Sequence, residues 1–288
     1  MWALKQIKVT GLTDIPDELH KMKDDPEALD SFPDILIFDF VKSALHMMTA
    51  HQLTGTIRAY CLQNANEANV IKYSYYFKGD YDAYGLSQPT LNAGAKEMLK
   101  LPGINLDVVL KAAPRLMRIG KYEEIGLALL LVRGLSGEYT RNTFDTIAGW
   151  YGIGIFNWAH ADTLGMGILP LFVKKKIVTI DDFKDWLGSP YKFMRRSVPV
   201  TMIKLLKTHK DYPAIFRFLE PLMEDPEREV HQGMGWFLRE AWKKDAPVTE
   251  AFLLKWKNTA PRLIIQYATE KMTAEQKLNF KKEKNHAK

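Results

Sequence analysis

An all-α superhelix of stacked helical pairs is the fold this sequence predicts, on three observations. Apolar residues recur at three- and four-residue intervals from Asp34 onward, as in Leu36, Phe38, Val41, Ala44 and Leu45, or Ile125, Leu127, Ala128, Leu130 and Leu131, which is the period of one buried helix face. Segment ends carry capping chemistry. The helical segments themselves recur at roughly forty residues, the length of a helix-turn-helix repeat. One such pair cannot bury its apolar stripe alone, so neighbours must stack, and degenerate stacking units of this length suit a HEAT-like or armadillo-like solenoid with a concave face.

The elements follow in order. Residues 1–33 are acidic and turn-rich, with Asp14, Asp17, Glu18, Asp24, Asp25 and Pro26, and MWALKQIKV fits a short strand, so they are expected to form an extension packed on the solenoid. Residues 34–275 are expected to form the repeat domain. Within it, one segment runs from Gly120 to Gly134 and the next carries Trp158. Thr179 opens TIDDFKDWLG and Gly188 closes it, Ser189 and Pro190 open the segment to Lys207, and Asp225 and Pro226 open the one from Glu227 to Lys243. The last repeat begins with Pro261 to Met272, after which Thr273 and Gln276 form a capping box. Residues 276–288, ending FKKEKNHAK, are expected to be a frayed basic tail with mild attraction for phosphate.

Composition narrows the function classes. With 288 residues, 47% of them hydrophobic, the chain can bury a large core without a staple. The net charge of +6 favours an anionic partner such as nucleic acid. A single cysteine, Cys61, leaves no internal disulfide framework or multi-cysteine zinc site and suits a reducing, cytoplasmic location. No membrane segment is expected, because nowhere do about eighteen apolar residues run without charges. No cofactor is expected either: Gly120-Lys121-Tyr122 is not a phosphate-binding loop, and Gly152-Ile153-Gly154 is too short for a dinucleotide fingerprint. No metal is expected, since His46 and His51, five apart, are poorly spaced as ligands on a helix. Aromatic, carboxylate and guanidinium chemistry remains.

Trp158 and Asp162 lie one helical turn apart on one face, so an indole and a carboxylate can border one cleft. A core tryptophan and a solvated aspartate fit the same spacing. Arg195 and Arg196 stand near the start of an apolar helix. Trp236 and Arg239 add a second indole and guanidinium beside Gly233 and Gly235, which permit close approach of either a partner or another helix. Tyr73, Tyr75, Tyr76, Phe77, Tyr81 and Tyr84, with Lys72 and Lys78, form an aromatic and basic run that suits either a nucleic-acid backbone or an anchor for the first repeats.

Taken in order, YYFKGDYDAYGL, GKYEEIGLALLL, NWAHAD, FMRRSVPV and GMGWFLREAWKKD resemble the landmarks of the DNA alkylation repair family, the AlkD-like HEAT-repeat alkylpurine DNA glycosylases. The likeness runs from about residue 45 to 275. It implies a concave face that grips duplex DNA and excision of cationic alkylated purines such as 3-methyladenine and 7-methylguanine, with the lesion read while the base stays stacked. It further implies that Trp158 and Trp236 flank the damaged nucleotide, that Asp162 is the catalytic carboxylate and that Arg196 holds backbone phosphate. Tyr76 stands at the family's DNA-contacting tyrosine, with Arg195, Arg239 and Lys78 completing the expected DNA-binding set, while Gln232 replaces a lysine found in some relatives. A monomer is expected. Two other functions suit the same scaffold, a noncatalytic DNA-structure binder and a protein-binding scaffold, because fold does not fix function.

Overall fold

The computed structural model describes residues 48–79 and 81–283, and among them every regular element is helical. The extension expected over residues 1–33, its possible strand and the apolar series Leu36 to Leu45 lie outside the described residues. Fourteen α-helices follow one another: α1 Ala50–Gln63, α2 Glu67–Ser74, α3 Gln88–Met98, α4 Leu106–Ile119, α5 Tyr122–Gly134, α6 Arg141–Trp150, α7 Trp158–Gly167, α8 Leu169–Lys174, α9 Lys192–Leu205, α10 Tyr212–Leu219, α11 Arg228–Trp242, α12 Ala246–Trp256, α13 Arg262–Ala268 and α14 Ala274–Leu278. The architecture is the expected helical repeat.

One row of helices organises the molecule. α5 packs on α7, α7 on α9, α9 on α11 and α11 on α13, so alternate elements form a ladder. The intervening elements stand behind these rungs: α4 on α5, the 3-10 segment Asp181–Gly188 and α10 on α9, and α12 on α11. A continuous apolar core runs between the two rows, with Leu127, Leu131, Leu164, Val198, Met202, Met234, Leu238 and Ile265 all buried. Cys61 belongs to it, and burial pushes its thiol up to about 12. It is a packing residue.

Rungs approach closely because glycines face their neighbours. A Cβ on Gly165 of α7 would lie 2.8 Å from Val200 Cγ1 of α9, and one on Gly235 of α11 would lie 2.5 Å from Tyr267 Cβ of α13. Gly233 likewise faces Arg196. Of the two uses open to Gly233 and Gly235, helix packing is the one the structure displays.

Segment ends fall near their expected places, with instructive shifts. Thr273 and Gln276 form the predicted capping box. The segment opened by Thr179 is 3-10 rather than α, its Asp182 carboxylate accepting from the Thr179 N–H and bonded to Arg141. α11 starts after Glu227 instead of Asp225, because the Asp225 carboxylate accepts from the Glu227 N–H and also binds Arg195. Phe280, expected in the frayed tail, is buried, and its carbonyl accepts from Arg262 at 2.7 Å.

Candidate functional site

The site is carried by the rungs α7, α9 and α11. Asn157 caps α7 by accepting the His160 N–H at 2.9 Å, which makes Trp158 the first residue of the helix. A tryptophan there projects at the rim, and Trp158 is 38% exposed. One turn on, Asp162 meets the helix behind it. Arg196 Nε and Nη2 donate to the two Asp162 carboxylate oxygens at 2.9 and 2.8 Å, while Nη1 donates to the Glu229 carbonyl at 2.7 Å. One guanidinium thus ties three successive rungs together.

Arg196 is buried, with 7% of its side chain exposed against 15% for Asp162. The family resemblance implies a phosphate contact for Arg196; in this structure its fork is spent on Asp162. Burial raises the Asp162 carboxyl above its ordinary value, and the Arg196 bonds pull it back. An arginine cannot shed its proton here, so a neutral Asp162 would strand a buried cation, and the pair is held as carboxylate and guanidinium at neutral pH. Arg195, one residue earlier, turns the other way. Its Nε and Nη2 donate to Asp225 at 2.6 and 3.1 Å and its Nη1 donates to the Ser189 carbonyl.

The rest of the expected set is more spread out. Trp236 is half-buried on α11, which packs on α9, the rung that carries Arg196. Gln232 donates to the Tyr267 hydroxyl at 2.9 Å, and Arg239 is engaged by Glu270 and Glu240. Tyr76 and Lys78 are exposed. At Glu229, burial, which would raise the carboxyl, is outweighed by its own N–H, by Lys192 and by Lys78, leaving it below the ordinary range. Lys78 therefore lies within electrostatic reach of the α11 N-terminus.

The aromatic run divides between the two uses open to it. Tyr75 and Tyr76 are 85% and 65% exposed. Tyr84 is an anchor: its hydroxyl donates to Glu124 and its N–H to Glu123. Phe77 and Tyr81 do neither and stack toward Trp158, with Phe77 5.6 Å from the indole. Phe77 is a residue the sequence reading did not single out as part of the site.

His160 closes the back of the site. Its Nε2 faces the Tyr122 carbonyl at 3.0 Å, and a carbonyl only accepts, so Nε2 carries the proton and Nδ1 accepts from the Asn157 amide at 2.8 Å. The ring stacks on Tyr122, and burial lowers its pKa to about 4. It is a neutral structural imidazole. Among the described residues no group of three or more His, Cys, Asp or Glu has the arrangement to hold a metal, and no helix is long and apolar enough to cross a membrane. The cavity near the C-terminus, bounded by Glu250, Leu254, Lys257 and Leu278, shares no residue with these rungs.

The family model described as DNA alkylation repair enzyme matches residues 57–272. The chain belongs to that family. Among solved structures, this family member is similar to AlkD2 from Streptococcus mutans, at 18% identity and a TM-score of 0.51, over 76% of this chain and 100% of that one. That likeness bears on the fold. No curated protein sequence matches the chain. The matched residues of this DNA alkylation repair protein include all five rungs from α5 to α13.

Proposed function

We propose that the protein is a DNA glycosylase that hydrolyses the N-glycosidic bond of cationic alkylated purines, 3-methyladenine and 7-methylguanine, in duplex DNA. The observation that carries this reading is the Asp162 carboxylate, ionised against Arg196 one turn behind an exposed indole. Alkylation at N3 or N7 places a positive charge on the purine, which makes it a good leaving group without a general acid. As the bond breaks, positive charge moves to the sugar. A preorganised carboxylate stabilises that cation and orients water for attack on the anomeric carbon.

The geometry refines the roles that the resemblance implies. Arg196 uses Nε, Nη1 and Nη2 on Asp162 and Glu229, so its contribution is to aim and ionise the carboxylate. Phosphate contact then falls chiefly to Tyr76 and Lys78, which face solvent beside Trp158. The indoles of Trp158 and Trp236 attract the cationic base and sugar by roughly 0.5–2 kcal/mol each. The net charge of +6 adds salt-dependent, sequence-independent affinity.

Single-turnover release of 7-methylguanine from a defined duplex tests the assignment. Asp162→Asn is expected to lower the rate roughly a hundredfold while leaving duplex affinity nearly unchanged. Because burial raises the Asp162 carboxyl, the wild-type rate should decline toward acid pH before the ordinary aspartate range is reached. An unchanged rate in Asp162→Asn removes Asp162 from the mechanism. No release by the wild type, with tight duplex binding, assigns the chain to noncatalytic binding of DNA structure.

A further inference from the structure

Trp158 does not stand alone at the rim. Its indole Nε1–H donates to the Tyr76 carbonyl at 3.1 Å. The Phe77 ring lies against it nearly parallel, with centroids 5.6 Å apart and planes 16° apart, and Tyr81 stacks on Phe77 at 4.6 Å and 8°. Tyr122 closes on Phe77 and Tyr81, each at 5.3 Å, and itself stacks on His160. Rings therefore stack outward from a buried end at His160 and Tyr122 to an exposed end at Trp158.

We propose that Phe77 is a positioning residue for Trp158: by taking one face of the indole, with the Tyr76 carbonyl fixing its edge, it leaves the opposite face set for the alkylated nucleotide. This rests on the glycosylase reading above. A tryptophan at the first position of a helix has few neighbours to hold its side-chain torsions. A hydrogen bond fixes the direction of its edge but not the tilt of its plane; a parallel ring fixes the tilt. Attraction between an indole and a flat cation depends on face-on approach, so a rocking indole loses its advantage as charge redistributes between base and sugar. Phe77 stands between Tyr76 and Lys78, both exposed, so the turn that orients the indole also lies where backbone contact is proposed.

The substitution Phe77→Leu keeps apolar volume and removes the stack. Single-turnover excision is expected to fall about tenfold, with affinity for undamaged duplex held within about twofold, and Phe77→Tyr is expected to restore the rate. A wild-type rate in Phe77→Leu, or a loss that Phe77→Tyr does not rescue, overturns the inference. A second measurement does not depend on catalysis. In protein labelled with 5-fluorotryptophan, the Trp158 fluorine resonance is identified by its disappearance in Trp158→Phe. It should move and broaden in Phe77→Leu without DNA, and return toward its wild-type position in Phe77→Tyr. An unmoved resonance overturns the inference even in an active enzyme. If the wild type releases no base, the glycosylase reading fails, and the fluorine spectrum still decides whether Phe77 holds the indole.

Discussion

Two rungs of the ladder carry carboxylates bonded to an arginine, and only one of them makes a candidate site. On α5, Glu123 accepts three backbone N–H groups, from Tyr84, Gly85 and Leu86, at 2.7–3.0 Å, and Glu124 accepts a bidentate fork from Arg58 together with the Tyr84 hydroxyl. Both glutamates are sealed, at 0% and 1% exposure. On α7, Asp162 accepts, among the described residues, from Arg196 alone and keeps 15% of its side chain open beside an exposed indole. The same pair of groups thus does opposite work. A carboxylate whose lone pairs are taken by backbone and hydroxyl donors is a structural pin, whereas one aimed by a guanidinium but left with open lone pairs is ready for a water or a cation.

The largest effect should come from the sealed side. Glu123→Ala strands three N–H groups in the segment before α3 and is expected to cost about 4 kcal/mol of stability, measured by urea denaturation. A loss below about 1 kcal/mol would mean that water satisfies those donors and that the contrast between the rungs is false.

Next comes the seam between the rungs, where His160 bonds to the carbonyl of Tyr122 at the start of α5 and to the cap of α7. Its imidazole titrates near 6.5 when unfolded and near 4 when folded. Its contribution is therefore whole above about pH 6.5 and is lost as the pH falls toward 4, a change of about 3 kcal/mol. The urea midpoint should drop over that window in the wild type and less in His160→Gln. Equal slopes would place the acid sensitivity elsewhere.

The smallest and most discriminating test uses one substitution twice. Arg196→Lys and Arg58→Lys each replace a fork with a point charge. Excision should fall about tenfold in the first and stay at the wild-type level in the second, since Arg58 serves the sealed rung. A loss of excision in both would make the α5 carboxylates part of the working site.

Much of this molecule was legible in its sequence, and the parts that were not share a cause. The period of Ile125, Leu127, Ala128 and Leu131 marks α5, whereas the one-turn spacing of Trp158 and Asp162 fits a core tryptophan and a solvated aspartate equally, and only the family resemblance points to them as a site. The contacts of Arg196 with Asp162 and of Phe77 with Trp158 join residues 34 and 81 apart, farther than helix periodicity reaches. One signal was present: Arg195 pairs with Asp225, Arg196 with Asp162, Gln232 with Tyr267 and Arg239 with Glu270, all separated by 30–35 residues. In a stacked repeat, a buried polar group looks for its partner one repeat away. Glu123 and Glu124 stood out in the first turn of an otherwise apolar helix, but acidic residues there are ordinarily explained by the helix dipole.

The glycines between the rungs bear on selectivity. Where Gly165 of α7 meets Val200 and Ser197 of α9, and Gly233 of α11 meets Arg196 of α9, helix lies on helix with little room for a methyl group. Such joints do not slide. On the proposed reading, the span from Trp158 to Trp236 is accordingly set by helices seated closely on either side of α9, as the jaws of a calliper are set by its beam. If the proposed glycosylase reading holds, a nucleotide brought to these jaws is gauged against a fixed opening, discrimination rests on the lesion's charge and thickness, and adapting to a different lesion calls for new side chains on the jaws with the beam left alone.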